Sequence, residues 1–97
     1  MHIYFSGIGG TGIGPLALIA CQAGYEVSGS DKRCSQYTDY LQKSGINLHI
    51  GQTAEQIALE HAKHPIDWIV FSSAVLIEDQ NHPELVFARE NGIKTSR

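Results

Sequence analysis

The chain has 97 residues, 42% hydrophobic and 18% charged, with seven basic and ten acidic side chains and a net charge of -3. That balance excludes a disordered chain and a disulfide-dense scaffold, and the length suits one small domain, residues 1–97. No Lys/Arg run is visible, which argues against nucleic acid as a partner. Glycines, a proline and polar residues interrupt the long uncharged stretch from Ile3 to Tyr25, and no basic flank precedes it. Neither a membrane span nor a signal peptide is therefore expected, and the expected location is cytoplasmic.

In chain order, strand and helix patterns alternate from the first residue. Met1 to Phe5 is a β-rich run stopped by Ser6-Gly7. The apolar positions Leu16, Ile19, Ala20 and Ala23 then follow helical spacing, and Gly24 stands where helices commonly end. Tyr25 to Ser30 reads as a second strand, Tyr37 to Lys43 as a second helix stopped at Gly45, and Ile46 to Ile50 as a third strand. Thr53 is placed to cap a third helix running through Ala62. Trp68 to Phe71 is continuously apolar, as in a parallel strand covered on both faces. Pro83 suits the first turn of a fourth helix, Asn91-Gly92 ends it, and Ile93 opens a fifth strand. The whole predicts an α/β fold, a Rossmann-like, doubly wound parallel sheet of about five strands with helices on both faces.

Cys21 and Cys34 do not form a Cys-x-x-Cys pair, and Cys21 falls in an apolar helical run, so two reduced thiols are expected. The histidines are scattered. His61 and His64 lie three apart near a helix end, but no Cys or acidic cluster completes a metal site, so solvated surface histidines are expected.

The chemistry is concentrated in Gly7-Ile8-Gly9-Gly10-Thr11-Gly12, which fits G-x-G-x-x-G between a predicted strand and a predicted helix. Gly7 permits a tight turn, Gly9 lets the backbone approach a diphosphate, and Gly12 lets helix and strand pack closely. Backbone N–H groups and the helix dipole then hold an anion without a basic side chain. Four glycines in six residues would be costly in chain entropy for a turn that merely packs. Asp31, 19 residues after Gly12, stands where dinucleotide folds place an acid on the ribose hydroxyls; a solvated loop acid or a helix cap is the alternative. Ser28-Gly29-Ser30 keeps the wall beside a ligand small. Ser72, Ser73 and Ala74 follow the strongest strand, where ligands of open α/β sheets lie, and could bond a sugar or cap a turn. Neither serine has a visible base partner, so no catalytic residue is assigned. Gly92 to Thr95 lacks the spacing of a Walker loop.

On these residues alone the ligand stays open between a dinucleotide and a nucleotide-sugar. An NAD-binding oxidoreductase domain and a nucleotide-sensing regulatory module are the alternatives to substrate binding. Three segments together, Ile8 to Gly12 with Leu16-Ala17, Gly24 to Asp31, and Ser72 to Ala74 with Pro83-Glu84, resemble the amino-terminal domain of the Mur ligases. The resemblance runs over nearly the whole chain, and the Gly-Ser-Asp strand end is its distinguishing feature. It implies a domain that binds UDP-N-acetylmuramate rather than NAD. Gly9, Gly10, Thr11 and Gly12 would face the diphosphate, Ser30 and Asp31 the nucleotide end, and Ser72, Ser73 and Ala74 the uridine or sugar. It further implies a complete enzyme that uses ATP and Mg2+ to activate the muramoyl carboxylate for attack by L-alanine, in peptidoglycan precursor synthesis. The ATP-binding and amino-acid-binding domains would lie beyond residue 97, so this piece would bind without catalysing. The chain departs from the family pattern at Gly14-Pro15, at Gly51-Gln52 where the family often has Gly-His, and at His82, inserted between Asn81 and Pro83.

Overall fold

A computed structural model describes residues 1–9, 13–72 and 82–96 of the chain. Five strands form one sheet: β1 (His2–Ser6), β2 (Glu26–Asp31), β3 (Asn47–Ile50), β4 (Trp68–Phe71) and β5 (Lys94–Ser96). Their order is β3-β2-β1-β4-β5, and every pairing is parallel. Between them the described residues form α1 (Ile13–Gln22), α2 (Gln36–Lys43), α3 (Ala54–Lys63) and α4 (Pro83–Glu90). The expected doubly wound α/β fold is what the chain adopts. The winding runs outward from β1 through β2 and β3, then restarts on the other side at β4. The reversal between β1 and β4 is the crevice where ligands of this architecture bind.

Strand periodicity sorts the side chains into two layers. Ile3, Phe5, Val27 and Val70 point to the side of α1 and α2, where Ile13, Ala17 and Leu41 meet them. Tyr4, Ile69 and Phe71 point the other way and pack with Ile57 of α3 and Ala88 of α4. The helix starts follow their sequence signals. Ser35 caps α2 in a reciprocal pair with Thr38, Thr53 caps α3 by accepting from the Gln56 N–H, and Pro83 is in the first turn of α4.

Three features go beyond what spacing along the chain shows. The apolar stripe of α1 turns only partly to the core: Leu16 and Ile19 are 48% and 62% exposed, Ala20 packs against the core, and Ile13, Gly14 and Ala17 are the buried positions. The stripe borders an open groove of about 460 Å³ with Ile3, Phe5, Trp68 and Val70. Two of the histidines are not on the surface. His2 is buried, with Nδ1 on the His64 carbonyl (2.8 Å) and Nε2 on the Ser28 hydroxyl (2.6 Å), and His82 is buried at the start of α4. The polar residues of β2 also face inward: Ser28 and Ser30 are buried, so they are no wall for a ligand. Among the described residues no helix is long and apolar enough to cross a membrane, and no group of three His, Cys, Asp or Glu is placed to hold a metal ion.

Candidate functional site

At the carboxyl end of β1 the chain turns at Gly7, whose φ of 77° lies in the left-handed region open to glycine. The N–H groups of Gly7 and Ile8 both donate to the Ser30 carbonyl at 2.9 Å, tying the turn to the end of β2. The next N–H, that of Gly9, donates to Asp31 Oδ2 at 2.7 Å. The other oxygen of that carboxylate accepts from the Lys32 N–H at 2.7 Å. A Cβ on Gly9 would lie 2.5 Å from Asp31 Oδ2 and 3.2 Å from the Thr38 methyl. Glycine is therefore required at this position by the loop's own anchor, before any ligand is considered. Asp31 is partly buried and is not a helix cap, since Ser35 caps α2.

Beneath this turn lies a polar cluster that sequence reasoning missed. Glu84, in the first turn of α4, is fully buried. Its Oε2 accepts from the Tyr4 hydroxyl at 2.5 Å, and its Oε1 accepts from Ser6 Oγ at 2.6 Å and Ser30 Oγ at 2.7 Å. Gln52 Nε2 stands 3.3 Å from both serine oxygens and 3.4 Å from Glu84 Oε1. Burial, reinforced by the Glu84 carboxylate, pushes the Tyr4 hydroxyl far above the usual phenol value and keeps it a donor. His82 completes the cluster. Its Nδ1 accepts from the Glu84 N–H at 3.2 Å, which leaves Nε2, 3.1 Å from Gln52 Oε1, as the donor. Two departures from the family pattern, Gln52 and His82, are thus hydrogen-bonded to each other. The available sequence signal was the run of period-two polar residues Tyr4, Ser6, Ser28 and Ser30 facing one side of a buried sheet.

The sequence-derived site residues fall into three groups. Gly7, Ile8, Gly9, Ser30 and Asp31 come together at the ends of β1 and β2. Ile8 and Ser30 have buried side chains there, so only their backbones face the turn. Ser72 joins them through its N–H, which donates to the Ser6 carbonyl at 3.0 Å. Gly10, Thr11, Gly12, Ser73 and Ala74 lie outside the described residues. Close packing of helix against neighbour, expected of Gly12, is seen at Gly14, where a Cβ would lie 2.1 Å from the Tyr37 ring.

The model of the Mur ligase family, catalytic domain, matches residues 2–97. The chain belongs to the Mur ligase family. Among curated Mur ligases, UDP-N-acetylmuramate–L-alanine ligase of Frankia alni is 44% identical over 98 residues, covering 99% of this chain and 16% of that protein. Among solved structures, UDP-N-acetylmuramate-alanine ligase from Thermotoga maritima superposes with a TM-score of 0.84 at 30% identity, over 99% of this chain and 20% of that one. The UDP-N-acetylmuramate:L-alanyl-gamma-D-glutamyl-meso-diaminopimelate ligase from Neisseria meningitides gives 0.80 at 30% identity, over 98% of this chain and 28% of that one. The chain thus spans less than a third of the length of these relatives.

Proposed function

We propose that residues 1–97 are the UDP-N-acetylmuramate-binding domain of an ATP-dependent ligase that adds L-alanine to that sugar in the cytoplasm. Membership of the family favours this over an NAD-binding oxidoreductase domain or a nucleotide sensor, and the curated relative quoted above carries that ligase's name. The observation that carries the reading is the glycine turn at the switch point, with its amides fixed by Ser30 and Asp31.

The geometry refines which groups would hold the diphosphate. The N–H groups of Gly7, Ile8 and Gly9 already have partners within the chain. The diphosphate is therefore assigned to the opening turn of α1, where a helix start leaves N–H groups unpaired and its dipole favours an anion, together with Gly10, Thr11 and Gly12 from the sequence pattern alone. Asp31 takes the donors of the nucleoside, either ribose hydroxyls or the base N–H, through the lone pairs its backbone partners leave open. Ser72, Ser73 and Ala74 border the uridine or sugar. In the complete ligase, ATP and Mg2+ supply the acyl phosphate chemistry, and the contribution of residues 1–97 is to bind the sugar substrate.

Calorimetry on the purified chain tests this. UDP-N-acetylmuramate is expected to bind, NADH to bind at least about tenfold more weakly, a difference of about 1.4 kcal/mol. Tight NADH binding with no heat from the UDP-sugar would overturn the reading.

A further inference from the structure

We infer that Glu84 is the positioning residue of the glycine loop, holding its anchor in register without touching a ligand; as a statement about ligand binding this rests on the nucleotide reading above. Glu84 is 0% exposed, so no ligand in the crevice reaches its carboxylate. What it does reach is the frame of the loop. Ser6, whose Oγ donates to Oε1, immediately precedes Gly7. Ser30, whose Oγ donates to the same oxygen, offers its carbonyl to the N–H groups of Gly7 and Ile8. Asp31, the next residue, holds Gly9. One carboxylate oxygen therefore ties together the two strand ends that shape the turn, and Gln52 adds the end of β3 to the same point.

The two oxygens divide the labour. Oε2 is bonded to Tyr4, two residues deeper in β1 and away from the turn, while Oε1 is bonded to both loop-flanking serines. The ion pairs described, His49–Glu60 and His64–Glu26, do not include Glu84. A buried carboxylate that pairs with no cation among the described residues is a poor way to gain stability, because apolar residues of similar volume serve at least as well. Its hydroxyl donors do, however, fix directions, which apolar packing cannot. Helix α4 contributes too, since Glu84 sits in its first turn, where the dipole favours a negative charge.

A merely structural Glu84 and a positioning Glu84 differ in which amides respond to its loss. Residue-resolved hydrogen exchange on the 97-residue chain should therefore compare wild type with E84Q, Ser6→Ala and Tyr4→Phe. E84Q and Ser6→Ala are expected to speed exchange at Gly7 and Ile8 by about tenfold or more, leaving Ile69 and Val70 in β4 within about twofold of wild type. Tyr4→Phe, which takes the hydroxyl from Oε2 and keeps both serine bonds to Oε1, leaves Gly7 and Ile8 protected. Ser6→Ala keeps the carboxylate and gives the decisive pattern should E84Q fail to fold. A titration with UDP adds a second readout: E84Q weakens UDP by about tenfold or more, and Tyr4→Phe leaves it within about twofold of wild type. A uniform rise in exchange across the sheet, no change at Gly7 and Ile8, or an equal loss of UDP binding in E84Q and Tyr4→Phe would overturn the inference. A wild-type chain that does not bind UDP overturns the nucleotide reading instead, and the amide pattern then decides the positioning role by itself.

Discussion

Gly9 and Asp31 show how one close approach couples sequence choice to site geometry. A valine at 9 would drive its Cβ into the Asp31 carboxylate, which stands 2.5 Å from the position a Cβ would take. Gly9→Val is expected to destabilise the chain by about 1–3 kcal/mol, read by urea unfolding, and to weaken UDP-sugar binding in parallel. Tyr4 makes a different kind of statement. Burial and the neighbouring Glu84 raise its hydroxyl well above the ordinary 10.0, so the folded state keeps a proton that the unfolded chain releases. The stabilising contribution is whole below pH 10.0 and declines above it, at about 1.4 kcal/mol per pH unit while the folded hydroxyl stays protonated. Unfolding midpoints between pH 9 and 11 should fall more steeply for wild type than for Tyr4→Phe; equal slopes would contradict this. At this scale the sequence showed the glycines and Asp31 but hid Glu84. Their spacing is local, whereas Glu84 meets its partners across 54 to 80 residues of chain, a distance no periodicity reveals.

Element boundaries were mostly legible because the chain marks them with capping chemistry. Thr53, Pro83 and Asn91-Gly92 each stand at or beside the helix end that the sequence assigned to them. Ser35→Ala removes the side chain that accepts from the Thr38 N–H and is expected to cost about 1 kcal/mol of stability, measured by thermal unfolding, without altering ligand affinity beyond error. The face of α1 was not legible. Leu16, Ile19, Ala20 and Ala23 have the spacing of a core stripe, yet of these only Ala20 packs against the core, and the buried contacts are made by Ile13 and Ala17. Spacing reports that a helix has an apolar face; which layer receives it depends on the sheet order, and Trp68 and Val70 come beside α1 only because β4 pairs with β1. The inward polar face of β2 was missed for a related reason. Ser28 and Ser30 look like a small wall until α4 is known to bring Glu84 beneath the sheet end.

For the whole molecule, the parallel sheet and its switch point followed from strand–helix alternation, and the family followed from segments spread along the chain. The proposed ligand does not follow from packing physics, because a glycine turn on a helix start accepts any diphosphate. Gly-Ser-Asp at the end of β2 and Ser72 to Ala74 carry the resemblance that favours a UDP-sugar, and in the structure Ser30 joins the buried cluster and Asp31 the loop. Whether this turn is the proposed UDP-sugar cradle is decided by following backbone amide resonances while UDP-N-acetylmuramate is added to the 97-residue chain. Saturable shifts are expected, concentrated at residues 7–14, Asp31 and Ser72. Shifts confined to the apolar groove at Ile3, Leu16, Trp68 and Ser96, or no shifts at all, would contradict it.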